Sequence, residues 1–142
     1  MKVKKGQKGA SAVEFALVLP LLLVILFGIV EFGLLFYNQQ LITNASREGA
    51  RFGVVATTTR KTLDEIKLTV RNFCYSNLIG FPKGTLGTTL TPGGPCINYG
   101  DILTVNVTYD YRFLVFPNVL ALIKGSFSNS SDLKATTVMK CE

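Results

Sequence analysis

The chain has 142 residues and a formal net charge of +6, from 15 lysines and arginines against 9 acids, with no histidine. It therefore lacks the commonest general base, the commonest zinc ligand and any Ser-His or Cys-His nucleophile; neither an enzyme nor a metal or cofactor site is expected. The positive charge is not gathered on one face either. Lys2, Lys4, Lys5 and Lys8 lie at the extreme N-terminus and the other basic residues are scattered beyond Tyr37, which argues against a nucleic-acid partner.

From Phe15 to Val30 no residue is charged, and the apolar texture resumes from Phe32 to Tyr37. At about 1.5 Å per residue this run covers a hydrocarbon core of roughly 30 Å. Its lysine-rich flank predicts a cytoplasmic N-terminus and a single pass, with everything after Tyr37 outside the inner membrane. A cleaved secretory signal does not fit, because the run ends in Ile29, Val30, Glu31 and Phe32 rather than in small residues. Glu14 stands at the mouth of the run, five places after Gly9. A carboxylate facing lipid costs about 2.5 to 3.5 kcal/mol, so such a residue is shallow, paired or functional.

The helical pattern need not stop at Tyr37: no proline interrupts Asn38 to Ala56, and Leu41, Ile42, Ala45, Ala50 and Phe52 continue the apolar spacing. One helix from Ala10 to Ala56, roughly 70 Å long, is predicted, half in lipid and half projecting beyond it, with Pro20 as a local kink. Glu31 falls about 25 Å beyond Glu14 along the axis, near the outer interface, either as a solvated surface carboxylate or paired with a neighbouring subunit.

After Thr57, Thr58 and Thr59, a second helix should begin at Thr62, which forms a capping box with Glu65. Leu63, Ile66, Val70 and Phe73 give it one apolar stripe. The stretch from Gly80 to Gly100 carries six glycines and three prolines and is expected to hold no regular structure. Leu103, Val105, Val107, Tyr109, Tyr111 and Phe113 then alternate with polar residues, a half-buried strand; Leu133, Ala135, Met139 and Cys141 repeat the pattern. Between these strands the apolar segment from Val115 to Ile123 is either core or an exposed contact surface, and Leu120 and Ile123 are its candidate partner contacts.

Cys74, Cys96 and Cys141 all lie on the outer side, where disulfides are permitted. Spacing does not choose among their pairings. Cys74–Cys96 is expected, since it would tie the end of the second helix to the end of the glycine-rich loop; Cys96–Cys141 is the alternative, and Cys141 also suits a buried thiol on its strand's apolar face.

The wording GASAVEF around Gly9, Pro20 within the helix, Glu31 with Phe32 and Gly33, and Arg47-Glu48-Gly49-Ala50-Arg51 together resemble the TadE-like minor pseudopilins of tight-adherence (Tad) pili, within the type IV pilin superfamily. The resemblance covers roughly the first 55 residues closely. It implies cleavage by prepilin peptidase between Gly9 and Ala10. Glu14 would then neutralise the new α-amino group, on its own or a neighbouring subunit, and act in pilus assembly together with Glu31. Arg47, Gly49 and Arg51 are candidate helix-packing residues. The implied partners are prepilin peptidase, other Tad pilins and minor pseudopilins, and an inner-membrane assembly platform, with no small-molecule substrate.

The predicted architecture is α+β. A leader at 1–9 precedes a membrane-spanning and stalk helix at 10–56, and a small extracytoplasmic domain at 57–142 combines a short helix with an antiparallel β-sheet. The predicted function is that of a structural or assembly component of an adhesive Tad-type pilus, incorporated at the tip, base or shaft. The alternative is a permanently anchored module whose outer domain binds or senses a ligand.

Overall fold

The computed structural model describes residues 7–56, 59–80, 84–91, 96–114 and 128–142. Helix α1 runs unbroken from Gln7 to Val54, through Pro20, and its 48 residues span about 72 Å. Its two halves live in different surroundings. From Gly9 to Val30 nearly every side chain is exposed, including Leu17 at 74% and Ile29 at 68%, a helix long and apolar enough to cross a membrane. From Glu31 on, burial recurs on one stripe at Asn38, Ile42, Ala45, Ser46, Gly49, Ala50 and Gly53. The outer half is therefore no bare stalk: it is the central strut against which the other elements pack.

Helix α2 (Leu63–Tyr75) begins where the sequence predicts. The Thr62 N–H donates to Glu65 Oε2 at 2.8 Å and the Glu65 N–H to Thr62 Oγ1 at 3.3 Å, so two otherwise orphaned donors are satisfied reciprocally. Its buried residues Ile66, Val70 and Cys74 face α1.

Among the described residues the sheet has three antiparallel strands in the order β1 (Leu86–Thr91), β2 (Ile102–Arg112) and β3 (Ser130–Lys140). β2 is central and shows the predicted alternation, with Leu103, Val105, Val107, Tyr109 and Tyr111 all buried. β3 pairs along its whole length, Tyr109 opposite Leu133 and Val107 opposite Ala135. β1 corrects the expectation of an irregular stretch between Gly80 and Gly100. Its Thr and Leu residues pair from Leu86 with Tyr109 to Thr91 with Thr104, and the ladder bonds offered by β2 outweigh the small cost of Gly87. A Cβ at Gly87 would lie 2.5 Å from Thr108 Oγ1, so any larger residue there would displace the Thr108 hydroxyl. Gly100, at φ +90°, makes the turn into β2 and donates its N–H to the Cys141 carbonyl at 3.0 Å.

Candidate functional site

Along α1 the candidate positions fall into two groups, an exposed N-terminal stretch and a buried junction with the sheet. Gly9, Ala10 and Glu14 are exposed. The Gly9–Ala10 bond lies within α1, ahead of the uncharged run that starts at Phe15.

Glu31 departs from its expected surroundings. The apolar residues before it are exposed, while Glu31 itself is 3% exposed, the inverse of the pattern on a soluble helix. The Tyr111 hydroxyl donates to Glu31 Oε1 at 3.0 Å and the Leu114 N–H donates to the same oxygen at 2.8 Å. It is no solvated surface carboxylate: within the chain it clamps the end of β2 to α1. Hydrogen bonds to a charged acceptor are the strong ones, each worth about 1.5 to 3 kcal/mol. Burial, together with this bond and the adjoining negative charge, raises the Tyr111 phenol well above its ordinary range. The ring also meets Phe113 edge to face, with centroids 5.5 Å apart.

Two turns further on, Asn38 makes a second clamp that the sequence alone did not reveal. Its Nδ2 donates to the Ile79 carbonyl at 2.6 Å and its Oδ1 accepts from the Ile79 N–H at 3.0 Å, which ties the chain leaving α2 to α1. Ser46 adds a hydroxyl contact to Thr137 at 2.7 Å. The missed signal is periodic. Glu31, Asn38 and Ala45 are seven apart and share a face with Ile42 and Gly49, so the polar residues belong to the packed stripe.

Arg47, Glu48 and Arg51 are exposed, and Gly49 and Ala50 are buried on the other side of α1. The close approach allowed by Gly49 is internal: a Cβ there would overlap the Val70 side chain. Gly53 plays the same part, since a Cβ at that position would meet Leu103 Cδ2 at 2.5 Å and Ile66 Cδ1 at 2.8 Å. The Gly49-x-x-x-Gly53 spacing was the readable signal, and it serves α1, α2 and β2 of one chain.

The cysteines pair differently from the expected Cys74–Cys96. Cys96 bonds to Cys141, with Cα atoms 5.8 Å apart, and Cys74 is a free, buried thiol. The reason is sidedness: Cys74 continues the buried α2 stripe of Ile66 and Val70, whereas Cys141 extends β3 beside the turn at Asp101, whose carbonyl accepts from the Cys141 N–H at 2.7 Å. Leu120 and Ile123, with the rest of the segment from Val115 to Ile123, lie outside the described residues.

No curated protein and no solved structure matches the chain. Residues 9–51, the part of α1 that carries Gly9, Glu14, Glu31 and the REGAR sequence, match the family model described as TadE-like protein.

Proposed function

We propose that the protein is a minor pseudopilin, a structural component of a Tad-type pilus, anchored by α1 with its N-terminus in the cytoplasm and its sheet outside the inner membrane. One observation carries this: an apolar helix that includes the Gly9–Ala10 junction is exposed at nearly every residue from Gly9 to Val30 and continues without a break into the strut of a folded domain. The TadE-like match over the same helix supports it. Prepilin peptidase would cut after Gly9 and remove the four lysines that hold the N-terminus in the cytoplasm. Glu14 would neutralise the new α-amino group in lipid, and other pilins and the assembly platform would take up the mature helix as part of an adhesive fibre. Expression with a prepilin peptidase should leave Ala10 at the N-terminus, and a bulky replacement of Gly9 should block the cut. An intact leader in the native host, with the peptidase present, would point instead to a permanently anchored binding or sensing module. Glu14→Ala should be processed and fold normally yet enter pili poorly; normal incorporation would remove its assembly role.

A further inference from the structure

The two edges of the sheet are treated differently. β3 carries Asp132, Lys134 and Lys140, and the Gln39 amide donates to the outward Lys134 carbonyl at 3.0 Å. Charges and covering groups are the usual means of keeping an edge from pairing with another chain. β1, the opposite edge, reads Leu-Gly-Thr-Thr-Leu-Thr without a charge or a proline. Its register settles which backbone groups face out. The Asp110 N–H donates to the Thr85 carbonyl at 3.0 Å, and pairing continues as Leu86 with Tyr109, Gly87 with Thr108 and Thr88 with Val107. Bonded and non-bonded pairs alternate along an antiparallel ladder. Gly87 and Thr89 therefore bond to β2, while the N–H and C=O groups of Leu86, Thr88 and Leu90 point away from it.

Among the described residues no strand pairs with the outer side of β1, and beside it, between α2 and β1, lies a groove of about 580 Å³ whose lining includes Lys67, Arg71, Tyr75, Leu86, Thr88 and Tyr109. Lys67, Arg71 and Tyr75 are four apart on one face of α2, and all three are exposed. Among the described residues no carboxylate lines the groove, and neither Lys67 nor Arg71 has an ion-pair or hydrogen-bond partner there. We propose that β1 receives an extended segment of a partner protein as a fourth strand, bonded main chain to main chain at Leu86, Thr88 and Leu90, with carboxylates at alternate positions against Lys67 and Arg71. Alternate side chains on a strand are about 6.8 Å apart and Lys67 and Arg71 are about 6 Å apart along α2, so one carboxylate can meet each cation. A phosphate or lipid headgroup would satisfy the cations but offers no donors to the outward carbonyls; a polypeptide edge supplies donors and acceptors in the same alternation. Binding here requires neither leader removal nor pilus incorporation.

The test uses the full chain in neutral-lipid nanodiscs and a fluorescent peptide of alternating Glu and Val, read by anisotropy against the same peptide with Lys for Glu. The acidic peptide should bind and slow amide exchange at Leu86 and Thr88. Thr88→Pro removes an outward N–H without touching the ladder to β2, and should weaken binding about tenfold, the worth of one hydrogen bond. Lys67→Glu with Arg71→Glu, both on the surface, should reverse the preference between the peptides at an unchanged melting temperature, which keeps the test valid should the proline variant fold poorly. Absence of saturable binding, equal binding of both peptides, or full affinity in a folded Thr88→Pro variant would overturn strand addition. Inorganic polyphosphate binding more tightly than the acidic peptide and indifferently to Thr88→Pro would assign the groove to a polyanion instead.

Discussion

Tyr111 and Glu31, 80 residues apart in sequence, meet through a buried 3.0 Å hydrogen bond at the point where the exposed apolar half of α1 gives way to the packed half. The contact fixes the level at which the folded domain sits on its helix. Glu31→Leu would keep the apolar bulk but leave the Tyr111 hydroxyl and the Leu114 N–H without their acceptor. A loss of about 1 to 3 kcal/mol is expected from the buried Tyr111 hydroxyl left unsatisfied, with a smaller loss at the part-buried Leu114 N–H. Tyr111→Phe should cost less, and a double-mutant cycle by denaturant unfolding in micelles should return a coupling of about 1 kcal/mol or more. Strict additivity would show that the two side chains are neighbours and nothing more.

The same burial predicts an alkaline limit. The Cys74 thiol is pushed by desolvation from 9.0 to about 11, and the Tyr111 phenol is raised above its ordinary 10.0. When the folded value lies above the unfolded one, the stabilising protonated form is fully present below the unfolded value and its contribution is lost as pH rises through the folded one. Stability should therefore hold to about pH 9 and then fall, with Cys74 first and Tyr111 from about pH 10 upward. Urea midpoints across this range should decline less steeply in a Cys74→Ala, Tyr111→Phe variant; an unchanged slope would place the alkaline loss elsewhere.

The disulfide makes a separate prediction. Cys96–Cys141 closes a loop of sequence separation 45, which the chain-entropy estimate values at roughly 4 kcal/mol. Cys96→Ser, Cys141→Ser and the double variant should lose similar stability, because each removes the same cross-link. In the unmodified protein an alkylating reagent at pH 8 should label no cysteine until denaturant is added, and then label Cys74 alone. Labelling of Cys141 would refute the pairing.

Much of this architecture was readable because local pattern and tertiary demand agreed. The Thr62–Glu65 box forms where the sequence puts it, and the period-two alternation from Leu103 to Tyr111 is the central strand, because both signals are completed within their own segment. What stayed hidden depends on partners distant in the chain. β1 is a strand only because β2 offers it an edge, and Leu-Gly-Thr-Thr-Leu-Thr has too few apolar residues to announce that alone. Glu31 looked interfacial by hydropathy, since counting charges along a helix ignores which face they occupy; its seven-residue spacing to Asn38 carried the missing information. The cysteine pairing turned on which face of α2 Cys74 occupies, a question that loop length does not address.

The last prediction separates the two faces of the REGAR sequence. Gly49 is buried, and a methyl group there would overlap the Val70 side chain, while Arg47 and Arg51 are exposed on α1. Gly49→Ala gains helix propensity of about 1 kcal/mol but forces Val70 to move within a packed core, which costs about 1 to 3 kcal/mol; net destabilisation is expected. Gly28→Ala and Gly33→Ala, with nothing within 4 Å of the added atom, should lose no stability. Arg47→Ala with Arg51→Ala should leave the unfolding midpoint within about 0.5 kcal/mol of the parent, as exposed substitutions do, so that any loss of copurification with other pilins in that variant reports on contact between subunits rather than on folding. If Gly49→Ala proved neutral and the double arginine variant unfolded early, the assignment of the faces would be reversed.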